Sequence, residues 1–180
     1  TGPGLVDPAR LYDLKSTTKS IGVTALGLAI ADKKMDLAER ARRYHPTLGV
    51  PPESNARSAW PDEITLLHLA TQTAGFEKPG GYSKLAFRPG TAWLYSDCGP
   101  NWLAECVTLV YQPDVAELMF QRVFTPLGIT QRDLTWRKNS YRPEKIDGIP
   151  RREFGSGISA NVDAMARIGY LYLSEGRGQD

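Results

Sequence analysis

The stretch from Ile21 to Ala31 constrains this chain most, because nearly every residue in it is apolar or small. A helix without a polar face has to be buried, so the segment predicts a helix packed inside the protein. It is far too short to span a bilayer, which takes about 20 apolar residues. The tetrapeptide Ser16-Thr17-Thr18-Lys19 leads directly into it. If the helix begins about at Ser16, Ser16 and Lys19 share one face, since residues three apart are neighbours on a helix. Burial would then take Lys19 out of bulk water and favour its neutral form. A serine at a helix N-terminus also sits where backbone N–H groups favour developing negative charge. Ser16 is thus a candidate nucleophile and Lys19 its activating amine.

The same tetrapeptide has a plainer explanation. Ser-x-x-Lys occurs by chance about once in a chain of this length. A serine capping a helix, followed by a lysine that snorkels from the first turn, gives the same pattern. The remainder of the sequence has to decide between the two.

The chain has 180 residues, of which 41% are apolar and 23% charged, with a net charge of +2. That suits one soluble globular domain, and the interspersed charges point neither to nucleic acid nor to an anionic membrane. No signal peptide is visible at Thr1-Gly2-Pro3-Gly4, an abrupt start compatible with removal of a leader. Cys98 and Cys106 fall in or beside one predicted helix, about 12 Å apart along its axis, too far for a disulfide. Two cysteines with an isolated His45 and His68 do not make a metal site. His68 reads as a packed or capping histidine.

Local signals organise the rest. The first 15 residues read as a loop or strand end. Asp36 to Tyr44 predicts a short charged helix stopped by Pro46 and Gly49, and Pro51 to Pro61 a polar linker. Thr65 to Ala74 predicts a helix with Gly75 as its left-handed cap. A Gly/Pro-rich loop follows from Phe76 to Thr91. Helices are predicted from Pro100 to Tyr111 and from Pro113 to Phe124. Residues 125–157 look irregular, and a last helix starts after Asn161, a good cap, and ends near Gly176. Within the irregular part, Gln131 to Phe154 carries Trp136, Arg137, Lys138, Arg142, Arg151 and Arg152. We read it as a solvated surface loop ahead of a substrate wall.

Tyr95-Ser96-Asp97 lies in a loop just before the Pro100 helix, between Pro89-Gly90-Thr91 and Gly99-Pro100. A tyrosine beside a lysine ammonium loses its phenolic proton more easily, and the phenolate can take a proton from a serine. Asp97 on the same loop could bond the lysine or a substrate amide.

In these blocks the chain resembles the serine β-lactamase and penicillin-binding-protein superfamily, in its class C β-lactamase-related branch of esterases, D-aminopeptidases and amide hydrolases. The likeness rests on Ser16-Thr17-Thr18-Lys19-Ser20 and on Ile64-Thr65-Leu66-Leu67-His68-Leu69-Ala70-Thr71-Gln72-Thr73-Ala74-Gly75-Phe76. It continues through Pro89-Gly90-Thr91, Tyr95-Ser96-Asp97, Pro126-Leu127-Gly128-Ile129 and Gly155-Ser156-Gly157-Ile158. The blocks stand in family order over nearly the whole chain. An alternative alignment of Ser96-Asp97-Cys98 with the Ser-Asp-Asn element of class A enzymes is weaker, because Tyr95 and the flanking blocks fit the class C type.

The resemblance implies an α+β fold, an antiparallel sheet flanked by helices, of which this chain is mostly the helical part with few strands. It implies Ser16 as the acylated nucleophile, Lys19 as its partner and Tyr95 acting as or with the general base, with Asp97, Ser156 and Gly157 on the substrate side. No cofactor and no metal are implied. The partner is a small ester, amide or peptide, and the family suggests a periplasmic or extracellular location. Asp97 stands where the family has asparagine. A carboxylate only accepts hydrogen bonds whereas an amide also donates, which argues against a dedicated β-lactamase.

The family's third element, Lys-Thr-Gly or a variant such as His-x-Gly, does not occur here. We therefore expect residues 1–180 to form a single, incomplete domain without the N- and C-terminal sheet strands. One oxyanion donor from that strand would be missing, worth about 10²–10³ in rate. A triad hydrolase lacks its Gly-x-Ser-x-Gly elbow, and a zinc protease its His-Glu-x-x-His. The reading from another class is a non-catalytic sensor or scaffold that binds peptidoglycan fragments or β-lactams.

Overall fold

The computed structural model describes residues 7–176. Its centre is a pair of packed helices, α1 (Thr18–Ala31) and α4 (Cys98–Tyr111). In α1 the buried residues are Thr18, Ile21, Gly22, Ala25, Leu26 and Ala29, the three- and four-residue spacing of one helical stripe. Every residue of α4 from Cys98 to Thr108 is buried. Between them run α2 (Trp60–Glu63) and α3 (Leu66–Thr71), and α5 (Val115–Met119) follows α4. No helix among the described residues is long and apolar enough to cross a membrane.

A small antiparallel sheet closes one side. Its order is β1 (Tyr12–Asp13), β5 (Ile158–Ala160), β2 (Leu134–Trp136), with Tyr12 opposite Ala160 and Trp136 opposite Ile158. A separate hairpin pairs β3 (Lys145–Ile146) with β4 (Ile149–Pro150), and α6 (Val162–Leu173) ends the described chain. Asn161 caps α6 by accepting from the Ala164 N–H at 2.8 Å. The helix-rich, strand-poor architecture fits the helical part of the β-lactamase/transpeptidase-like fold.

Gly22 fixes how closely the segment before β5 approaches α1. A Cβ there would lie 2.6 Å from the Phe154 ring, which is fully buried. Only glycine allows that contact.

Several elements differ from the sequence expectation. Ser16 lies in a 3₁₀ turn (Lys15–Thr17), and the α-helix proper starts at Thr18. The Asp36–Tyr44 helix is absent; only Ala41–Arg43 make a 3₁₀ turn, and Asp36 Oδ1 accepts from the Ala38 N–H at 2.8 Å, a local bond that competes with a helix. α3 stops at Thr71, since Gln72 itself adopts the left-handed conformation at φ 63°, three residues ahead of Gly75. The helix predicted over 113–124 is α5 followed by a π-turn, Phe120–Phe124. The Pro100 helix starts two residues earlier, at Cys98, so both cysteines are in α4; both are buried and free. Residues 125–157 hold β2 and the β3–β4 hairpin. His68 completes a capping box with Thr65 at the start of α3.

The largest correction concerns Gln131–Phe154, which is not a solvated loop. Arg142, Arg151 and Glu153 are buried, and Arg152 is part-buried against Asp114. Arg142 donates to Glu105 Oε1 at 2.8 Å and Arg151 to the same oxygen at 3.0 Å. His45 Nε2 lies 2.8 Å from Glu105 Oε2. The Arg142 guanidinium also lies 4.3 Å from the Trp102 ring centroid and 4.6 Å from that of Tyr82. These bonds pin the segment to α4.

Candidate active site

Four of the six residues singled out in the sequence meet at one point of the surface. The chain leaves β1, turns through Lys15 in a left-handed conformation (φ 49°) and presents Ser16 at the apex, exposed. A non-glycine residue there costs about 1 kcal/mol or more. Asp13 holds the turn: it accepts from the Lys15 N–H at 2.9 Å and pairs with the Lys15 ammonium at 2.7 Å. Lys19, one helical turn on, donates to Ser16 Oγ at 3.3 Å. Across the site, Tyr95 Oη donates to the same Ser16 Oγ at 2.5 Å. The Lys19 ammonium lies 4.7 Å from the Tyr95 ring centroid.

Lys19 does not sit alone in an apolar pocket, as the sequence suggested. Its side chain is 11% exposed, but it pairs with Asp97 Oδ1 and donates to the Gly155 carbonyl at 2.7 Å. Burial raises the Asp97 carboxyl, yet bonds from Lys19 and Lys78 outweigh it and hold it below the usual carboxylate range. Burial likewise opposes ionisation of Tyr95, and bonds with Ser16 and Lys19 bring its phenol below the ordinary value of 10.0. The result is a serine hydroxyl beside a phenol whose proton is loosened by a neighbouring cation.

Ser156 and Gly157 lie beside this point rather than in it. Ser156 Oγ donates to Glu153 Oε2 at 2.7 Å and accepts from Arg137 at 3.2 Å. Gly157 (φ 109°) accepts the Arg137 N–H through its carbonyl at 2.9 Å. Their neighbour Gly155 is the one that reaches Lys19. Asn101 of α4 holds it there, its Oδ1 accepting from the N–H groups of Phe154 and Gly155 at 3.1 and 3.0 Å. Asn101 is fully buried.

Sequence reasoning missed Lys78. Its ammonium bonds Asp97 Oδ2 at 2.5 Å and lies 4.8 Å from the Tyr95 ring centroid. It sits in the Gly/Pro-rich loop, where no periodicity signals a role. Trp93, two residues before Tyr95 and 63% exposed, flanks the site with its ring centroid 6.4 Å from that of Tyr95.

The chain is similar to known proteins. The β-lactamase family model matches residues 1–179. The chain belongs to the β-lactamase family. Among curated relatives it is 29% identical over 134 residues to a β-lactamase from Pseudomonas fluorescens, covering 66% of this chain and 35% of that protein. It is 30% identical over 93 residues to a lovastatin esterase from Penicillium rubens, covering 47% of this chain and 23% of the relative. The chain thus spans about a third or less of the length of these two family members. A penicillin-binding protein from Bacillus halodurans shares the fold with a TM-score of 0.71 at 14% identity, over 94% of this chain and 61% of that structure.

Proposed function

We propose that this β-lactamase-family chain carries the acylation centre of a serine hydrolase that cleaves esters or amides. One observation carries the proposal: a single serine hydroxyl lies 2.5 Å from a tyrosine phenol and 3.3 Å from a lysine ammonium. With Tyr95 ionised, its phenolate takes the Ser16 proton as Ser16 Oγ attacks the acyl carbon. Lys19 stabilises the phenolate. Collapse of the tetrahedral adduct breaks the bond to the leaving group, which receives the proton from Tyr95. Water then attacks the acyl-serine, its proton passing through Tyr95 back to Ser16 as the acid departs.

Two features favour an ester over a β-lactam. Asp97 spends both carboxylate oxygens on lysines and has no N–H to offer a substrate amide. Trp93, 63% exposed, gives the site an apolar flank suited to a hydrophobic acyl or alcohol group. The test is hydrolysis of a p-nitrophenyl ester by the full-length protein, with adducts of the ester and of a fluorescent penicillin sought by mass spectrometry. Ser16→Ala should lower kcat/KM at least about 10³-fold and abolish the adduct. A Ser16→Ala variant as active as the wild type would remove Ser16 as the nucleophile, and a wild type with neither turnover nor adduct would favour a non-catalytic binder.

A further inference from the structure

Asp97 has two cationic partners, and only one of them touches the reacting serine. Lys19 holds Oδ1 and Lys78 holds Oδ2. The second contact is built in from the backbone as well. The Asp97 N–H donates to the Lys78 carbonyl at 2.9 Å, and Ser96 Oγ donates to the Glu77 carbonyl at 2.8 Å. The loop carrying Lys78 is therefore fastened to the loop carrying Tyr95 at two consecutive residues. The Lys78 side chain is 59% exposed, so the pair itself contributes little to stability.

The contact bears on where Lys19 points. A lysine ammonium has three donors, and those of Lys19 go to Asp97, to the Gly155 carbonyl at 2.7 Å and, at the longest distance of 3.3 Å, to Ser16 Oγ. Ser16 is the loosest of the three partners. If Asp97 lost Lys78, its second oxygen would be free to turn toward Lys19 and draw the ammonium off the serine. An asparagine could not do this, because its second polar atom is a donor that repels an ammonium. We propose that Lys78 is a positioning residue of the acylation centre: by occupying the outer oxygen of Asp97 it keeps the carboxylate from monopolising Lys19, which stays within reach of Ser16.

The inference rests on the serine-hydrolase reading and adds that Lys78 acts through Asp97 and not on the substrate. A double-mutant cycle on the full-length protein with a p-nitrophenyl ester tests it. Lys78→Met should lower kcat about tenfold with KM changed less than about twofold, and Lys78→Arg should restore most of the loss. In the Asp97→Asn background, Lys78→Met should change kcat less than about twofold. If Asp97→Asn turns over too slowly, the single-turnover rate of Ser16 acylation, followed by mass spectrometry, gives the same ratio. Equal losses in both backgrounds, a loss confined to KM, or no loss in the wild type would each overturn the proposal. An active Ser16→Ala variant would instead overturn the hydrolase reading, and Lys78 with it.

Discussion

Two carboxylates in this molecule are each flanked by two cations, and they are built for opposite ends. Glu105 lies in the interior, 2% exposed, between the guanidinium groups of Arg142 and Arg151, with His45 on its other oxygen. Asp97 lies at the surface between two ammonium groups. Around Glu105 the donors are also spent elsewhere: Arg142 on the carbonyls of Gly81 and Cys98, Arg151 on that of Pro143. Planar forks suit a site that must hold one geometry in a dry interior. Lysines are compact charges on flexible stems, and at Asp97 they leave one ammonium with a contact to spare for Ser16. The inner cluster pins Gln131–Phe154 to α4, and the outer one leaves an ammonium 3.3 Å from a serine hydroxyl.

The comparison breaks most directly at Glu105. Glu105→Ala leaves two buried arginines without a counter-charge, which should cost about 3–5 kcal/mol in denaturant unfolding. A loss under about 1 kcal/mol would mean that the inner cluster is no more structural than the outer. Acid separates the two more gently. Burial raises the Glu105 carboxyl, but bonds from His45 and the charges of Arg142 and Arg151 outweigh it, so the folded value lies below 4.5. The unfolded chain then takes up its proton first as pH falls. The contribution of Glu105 is full above about pH 4.5 and is lost as pH drops through the lower folded value. Glu105→Gln should therefore flatten the decline of stability below pH 4.5, measured as urea midpoint against pH. Asp97→Asn should cost less than Glu105→Ala at neutral pH, because Lys78 is largely in water and Lys19, though 11% exposed, keeps its bond to the Gly155 carbonyl. Its effect should be read in ester turnover.

Much of the outer cluster was legible because it depends on short-range rules. The three-residue spacing of Ser16 and Lys19 brings them together even though Ser16 sits on a 3₁₀ turn and not in the helix. Tyr95 and Asp97 are close in sequence and needed only the family order of blocks to be set opposite Ser16. Lys78 was not legible, since what brings it in is a pair of backbone contacts between two irregular loops. The inner cluster has one sign in the sequence. Glu105 is the only charged residue in the otherwise apolar and polar-neutral run of α4, and an isolated carboxylate in the buried stretch Cys98–Thr108 demands cationic partners. Reading it that way would have drawn the arginines of Gln131–Phe154 inward. The Asp36–Tyr44 segment failed for the converse reason: the Asp36 carboxylate satisfies the Ala38 N–H nearby and competes with the helix.

The missing side chain at Gly22 acts as a spacer gauge for this site. Phe154 rests on α1 where a methyl group would be, and the next residue, Gly155, offers Lys19 its carbonyl. The gap between the helix that carries the lysine and the strand-side wall that steadies it is thus set by the thickness of one hydrogen atom. A single added carbon at Gly22, less than one helical turn past Lys19, would reset the aim of the lysine without altering any residue that touches the serine.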